Sequence, residues 1–117
     1  MSHMMNNNFV ATNPEPVPGD LAGTWTGNMG PYLVTMQWEA DGYGLFCYSY
    51  GTADVLQKMK FSEGQIHIQD GTKLELKKHS SESMTLHAPY FAGKDSVLYP
   101  DPDFRNASVY CAKALNR

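Results

Sequence analysis

The chain has 117 residues, 42% of them hydrophobic, and a formal net charge of -3. That is the length of one domain, with enough apolar content for a core. The slight acidity gives no whole-chain reason to expect nucleic acid, and no apolar run approaches the roughly 20 residues that a membrane-spanning helix needs.

The chain opens on polar, proline-rich sequence. Ser2-His3-Met4 reads as a vector junction, which puts the natural start at Met4 or Met5. No signal peptide is visible, although such a start is compatible with a trimmed one. Asn6-Asn7-Asn8 and Asn13-Pro14-Glu15-Pro16-Val17-Pro18-Gly19 show no period. Residues 1–20 are therefore expected to be a disordered lead or tether, and residues 21–117 a single domain. The lead is either a linker from an anchor or signal, or a frayed terminus.

The fold is expected to begin at Leu21-Ala22-Gly23-Thr24-Trp25-Thr26-Gly27. Gly23-Thr24-Trp25 resembles the glycine-x-tryptophan opening of the calycin barrels: lipocalins, fatty-acid-binding proteins and avidin-like proteins. The resemblance implies a barrel topology, with Trp25 on the first strand plugging one end and an arginine from the last part of the chain packing over it. It does not imply a particular ligand. The further mid-chain lipocalin motifs and the tryptophan-serine-glycine segment of avidin-like proteins are both missing from this sequence.

Pro31 to Ala40 reads as the second strand. Tyr32, Val34, Met36, Trp38 and Ala40 share one face, opposite Leu33, Thr35, Gln37 and Glu39. Ala40-Asp41-Gly42 forms the turn, which pairs Trp38 with Gly44 and Met36 with Phe46. Tyr43 to Tyr50 is apolar on both faces, with Leu45 and Cys47 outside and Phe46, Tyr48 and Tyr50 inside. A strand covered on both sides needs a lid on its outer face.

Val55 to Ala88 carries the cleanest alternation. Val55, Met59 and Phe61 oppose Lys58 and Lys60. Ile66 pairs in phase with Ile68. Leu74 and Leu76 oppose Lys73, Glu75 and Lys77, and Met84, Leu86 and Ala88 oppose Ser83, Thr85 and His87. Paired residues share a face, so the registers follow. Glu63-Gly64 is a two-residue turn that pairs Phe61 with Ile66 and Met59 with Ile68. Gln69-Asp70-Gly71 is a three-residue turn with Gly71 left-handed, because a two-residue turn would pair Ile68 with a lysine. Ser80-Ser81-Glu82 likewise forms a three-residue loop, pairing Leu76 with Leu86. Pro89 and Gly93 then interrupt before a strand at Ser96 to Tyr99.

The end of the chain divides between two readings. Val109, Tyr110 and Cys111 favour a strand. Asp101-Pro102 suits a helix start, Phe104, Ala107, Cys111, Ala114 and Leu115 share one helical face, and Lys113 and Arg117 suit its C-terminus. The helix is the favoured reading, since it supplies the lid over Tyr43 to Tyr50. Cys47 and Cys111 then lie close together, either as a disulfide or as two buried thiols. A disulfide implies a periplasmic or secreted protein, and free thiols a cytoplasmic one. The fold class is all-β: an antiparallel up-and-down meander closing into a small barrel, with a C-terminal helix.

Chemistry-bearing motifs are few. There is no phosphate-cradling glycine loop, no nucleophile elbow and no paired-cysteine zinc spacing, so neither a catalytic residue nor a cofactor is assigned. A barrel enzyme would need an acid on the inner face, and none is clearly placed there. Lys58, Lys60, His67, Lys73 and Lys77 form a basic outer stripe, which reads either as a docking surface or as solvated lysines guarding a sheet. Asn106-Ala107-Ser108 matches the glycosylation pattern.

Two candidate sites remain. Tyr32, Met36, Trp38, Phe46, Tyr48, Met59, Phe61 and Met84 converge on the inner face, and aromatics with methionines suit an adaptable apolar pocket. The favoured function is accordingly a non-enzymatic binding protein for a small apolar molecule. The alternative is a protein-interaction module of the inhibitor or immunity type, which uses the outer sheet or loops on an unidentified protein partner. The second candidate is a metal site on the outer face. The registers set Glu75 opposite His87 and diagonal to His67, and two imidazoles with a carboxylate are a zinc ligand set. Without a metal, Glu75 is expected to pair with His87.

Overall fold

The computed structural model describes residues 11–51, 53–87 and 95–115. The first ten residues of the lead, Ala88, the Pro89 and Gly93 interruption and Arg117 lie outside the described residues.

The period-two stretches become eight antiparallel strands: β1 (Gly23–Met29), β2 (Tyr32–Trp38), β3 (Tyr43–Tyr50), β4 (Ala53–Ser62), β5 (Gln65–Ile68), β6 (Lys73–His79), β7 (Met84–His87) and β8 (Asp95–Pro100). Each pairs with the next, and β8 returns to β1, so the sheet is a closed barrel. One helix follows, α1 (Val109–Leu115). Closure leaves no free sheet edge between these strands.

The predicted registers hold through β2 to β6. Trp38 faces Gly44, Met36 faces Phe46, Met59 faces Ile68, Phe61 faces Ile66 and Ile66 faces Leu74. Gly71 has φ 98°, the left-handed conformation that a three-residue turn asks of this position.

The next turn differs from expectation. Leu76 faces Leu86, but a bulge follows, and Lys78 pairs with Thr85 and His79 with Met84. The loop therefore runs from Ser80 to Ser83, closed by the Ser80 amide on the Ser83 carbonyl and by the Ser80 hydroxyl on the amides of Glu82 and Ser83. The reason lies in Lys77-Lys78. Strict alternation would turn Lys78 inward behind Leu74 and Leu76, whereas the bulge leaves both lysines exposed and keeps Met84 in the core.

The barrel closes through a contact that only glycine allows. Gly27 pairs with Leu98, and a Cβ at Gly27 would collide with the Val97 carbonyl oxygen and stand 2.9 Å from the Leu98 Cα. Both are backbone atoms, so no side-chain rotation relieves the clash.

One end of the barrel is sealed. Trp25 is 2% exposed, as a plug should be. Arg105 does not cover it, being exposed and 4.0 Å from Asp103, and Arg117 lies outside the described residues. The second half of the lead takes that place, in contrast to the tether expected from its composition. The Glu15 amide donates to the Phe61 carbonyl, the Val17 amide to Ala40, and the Trp25 Nε1–H to the Leu21 carbonyl at 3.0 Å. Val17 and Leu21 are buried in the core. The prolines suit an extended strap, because they have no N–H to satisfy and their φ is preset.

The C-terminal lid forms, but later than expected. Asp101 does not start the helix. Its buried carboxylate accepts the amides of Arg105 and Asn106 and so shapes a turn, while its own amide still extends the β8–β1 pairing onto Thr24. Ser108 is the cap: its Oγ accepts the Cys111 amide, and its carbonyl accepts the Ala112 amide. Phe104 and Ala107 reach the same apolar cluster from the turn, joining Cys111 and Leu115 over Leu45, Cys47 and Leu56. Cys47 and Cys111 form a disulfide, with Cα atoms 5.8 Å apart.

Two substitutions test this scheme. Trp25→Ala should cost about 3 to 5 kcal/mol, as large core truncations do, and denaturant melts of the purified variant would report it. Gly27→Ala should prevent closure and lower the midpoint more than Gly19→Ala, where the added Cβ meets open space and the backbone is not left-handed.

Candidate functional site

The barrel has unlike ends. At the strapped end Met36 and Met59 are 0% exposed and Trp38 packs edge-on to Phe61 at 6.1 Å, so the interior there is filled. At the other end lies an open cavity of about 380 Å³, lined by Met29, Tyr32, Val34, Phe46, Tyr48, Ile68, Asp70, Thr72 and Leu74. Strands β1, β2, β3, β5 and β6 and the β5–β6 turn contribute this lining, from inward residues near their ends on this side of the barrel.

Of the eight residues expected to line a pocket, Tyr32, Phe46 and Tyr48 do so. Met36, Trp38, Met59, Phe61 and Met84 are buried in the core cluster and are not part of the cavity lining. Inward periodicity alone does not separate rim from floor, since the depth of a residue follows from barrel stagger. Val34, Ile68 and Leu74 share the alternation and could have been added from it. Met29 is the inward residue two beyond Gly27. Asp70 reads in the sequence only as a turn residue.

The aromatic rings form a cluster rising to the rim. Phe46 and Tyr48 are 5.9 Å apart, Tyr48 and Tyr32 5.2 Å, and Tyr32 and Tyr50 5.1 Å. Tyr50 is 53% exposed, so the cluster reaches from the apolar interior into solvent. Asp70 is the single ionisable carboxyl in the lining among the described residues, and its Oδ1 accepts the Thr72 amide at 2.9 Å. Gln57 lies on the same inward face, paired with Phe46, and its Oε1 is buried with no hydrogen-bond partner among the described residues.

The expected metal set does not assemble. Glu75 does face His87, and His67 faces Lys73. His87 Nδ1, however, sits 2.9 Å from Asp95 Oδ1, so its partner is Asp95 and not Glu75. No group of three or more His, Cys, Asp or Glu placed to hold a metal occurs among the described residues. The sequence reading missed Asp95 because the β7–β8 register cannot be fixed from the sequence across Pro89 and Gly93. His67 is held below its ordinary value of 6.5 by burial first and by the Lys73 ammonium second, against weaker opposing pulls from the Ser62 backbone and Glu63. The basic stripe is also partly committed, since Lys60 Nζ donates to the Thr12 carbonyl at 3.1 Å.

A closed eight-stranded meander, its tryptophan plug and an outer helix are the architecture expected of a calycin. The family model described as bacterial lipocalin LPS transport optimiser YedD matches residues 6–115. The chain belongs to this family. Comparison with curated proteins and with solved structures gave no match. The matched region runs across the strap, the barrel and α1.

His67 makes a pH prediction. Its folded pKa is lowered, so the unfolded chain takes up the proton first as pH falls. The stability it contributes is present above its ordinary pKa of 6.5 and is lost as pH drops through that value towards the folded one. His67→Gln should flatten this part of the pH–stability curve, measured by urea melts on either side of it. For the lid, replacing both cysteines by alanine opens a 64-residue loop. That should cost about 4 kcal/mol in the chain-entropy model, read as a lower denaturation midpoint.

Proposed function

We propose that this YedD-family lipocalin is a non-enzymatic binding protein that takes one small apolar ligand into the open barrel mouth, in the service of LPS transport. The observation that carries it is the cavity beside the aromatic cluster. Its volume, about 380 Å³, lies at the low end of the roughly 300 to 1,000 Å³ usual for ligand sites. It is walled by Met29, Val34, Phe46, Ile68 and Leu74, with polar groups confined to the rim. An alkyl chain or a single ring system suits that space, and a lipid with several acyl chains does not. The link to LPS transport rests on the family description alone. The disulfide supports an oxidising compartment, periplasmic or extracellular, because such bonds persist there.

A second reading, a protein-interaction module, is favoured by one observation. Val109 is 74% exposed and Tyr110 39% on the outer side of α1, and Tyr99 is 56% exposed on β8. Exposed apolar side chains of this kind suit a protein surface.

Titration with a neutral alkyl probe, dodecanol, separates the two. Binding with one-to-one stoichiometry, weakened about tenfold (about 1.4 kcal/mol) by Thr72→Trp at the rim, supports the mouth. Binding unaffected by that substitution, or no binding at all, removes the ligand reading in favour of the module.

A further inference from the structure

We infer that the barrel mouth selects apolar ligands whose polar end is cationic, a protonated amine, held by the Asp70 carboxylate against the Tyr32, Tyr48 and Tyr50 rings. This rests on the ligand reading above and narrows its chemical class.

Three observations converge. First, the charge of the lining is one-sided. Among the described residues Asp70 is its only ionisable carboxyl, and neither lysine, arginine nor histidine lines the cavity. Among the described residues no cation pairs with Asp70. A carboxylate or phosphate head entering here would meet like charge at the rim, beside apolar walls. An ammonium would meet opposite charge.

Second, the rim is aromatic. Tyr32 stands 5.2 Å from Tyr48 and 5.1 Å from Tyr50 at interplanar angles of 76° and 51°, so the rings present faces and edges in different directions. Ring faces attract cations, and the attraction grows as water is displaced.

Third, an unpartnered acceptor lies on the inward face beside the lining, next to Phe46. The Gln57 Oε1 is buried and unpartnered among the described residues. Gln57 is opposite Phe46 on β3. On its other side the pairing continues past Met59–Ile68 through the Gln69 amide on the Lys58 carbonyl at 2.9 Å, which sets Gln57 level with Asp70. An amide oxygen without a donor carries a desolvation penalty that a ligand N–H would relieve. A carboxylate ligand has no donor to give. Asp70, Gln57 and the tyrosines therefore ask for the same head group, a donor that bears positive charge.

The test uses three probes with one tail: dodecylammonium, dodecanol and dodecanoate, each titrated below its micelle concentration by calorimetry. Dodecylammonium is expected to bind at least about tenfold tighter than dodecanoate. Asp70→Asn keeps an oxygen for the Thr72 amide and should bring the two charged probes within about twofold of each other. Glu82→Gln removes the same net charge from the far loop and should leave the preference intact. The inference is overturned if dodecanoate binds as tightly as dodecylammonium, if the preference survives Asp70→Asn, or if Glu82→Gln abolishes it equally. In those cases dodecanol still binds and the ligand reading stands. If none of the three probes binds, both fall together.

Discussion

Everything in this molecule depends on β8 coming back to β1. The seven other strand pairings join neighbours in sequence, each set by a short turn or connection, and any of them could form in an open sheet. The return contact joins Trp25 to Pro100, Thr26 to Tyr99 and Gly27 to Leu98 across some seventy residues of chain. It is possible because Gly27 carries no side chain where the Val97 carbonyl and the Leu98 Cα approach. Closure turns one face of a sheet into an interior. Only then do Trp25, Met36, Met59 and Leu98, on four different strands, become one core.

Once closed, a barrel of this size has two ends and too little length to leave both open. The strap from Thr12 to Asp20 settles the asymmetry. It leads Val17 and the following Leu21 into the core with Trp25 and spends its donors on the Phe61 and Ala40 carbonyls, so that end is filled. His79, turned by the bulge in β6, meets Asp20 at 3.0 Å and adds a polar fastening at the strap's end. The opposite end has no comparable cover among the described residues. Its inward residues are longer-reaching aromatics that lean on one another, and the space between them remains. The filled floor and the open mouth are thus two consequences of one sealing event.

The outside of the barrel is uneven for a related reason. Leu45, Cys47 and Leu56 face outward and would be exposed on a bare barrel. The Asp101 turn, α1 and the disulfide bury them, with Cys47, Cys111 and Leu115 nearly or fully inaccessible. Thr26 and Thr35 are also covered on this side, and their hydroxyls satisfy each other at 2.9 Å. Gln37 ties the lid's end by donating to the Leu115 carbonyl, which a short helix leaves without an internal partner. The lysine-bearing side, by contrast, needs no cover, because alternation gives it water-soluble side chains throughout.

Local rules were enough for the strands, their faces, most registers, the left-handed Gly71 and the proximity of Cys47 to Cys111. All of these follow from period two, from the turn a given residue pair permits, and from the rule that paired residues share a face. Three things were beyond those rules. The bulge at Lys77 is decided by whether Lys78 would otherwise be buried, which is a fact about the closed interior. The strap is unreadable because proline-rich sequence without period looks the same whether it floats or is pinned, and its partners lie about 45 residues away on Phe61 and 23 on Ala40. The mouth is the third. The sequence by itself determined which side chains point inward, including the eight first expected to line a pocket. Stagger of the closed sheet decided that Tyr32, Phe46 and Tyr48 stand at the rim while Met36, Met59 and Met84 fill the floor, and it brought Asp70 round from a turn to the edge of the cavity. Alternation sets the direction of a side chain, but its depth along the barrel exists only once all eight strands are joined.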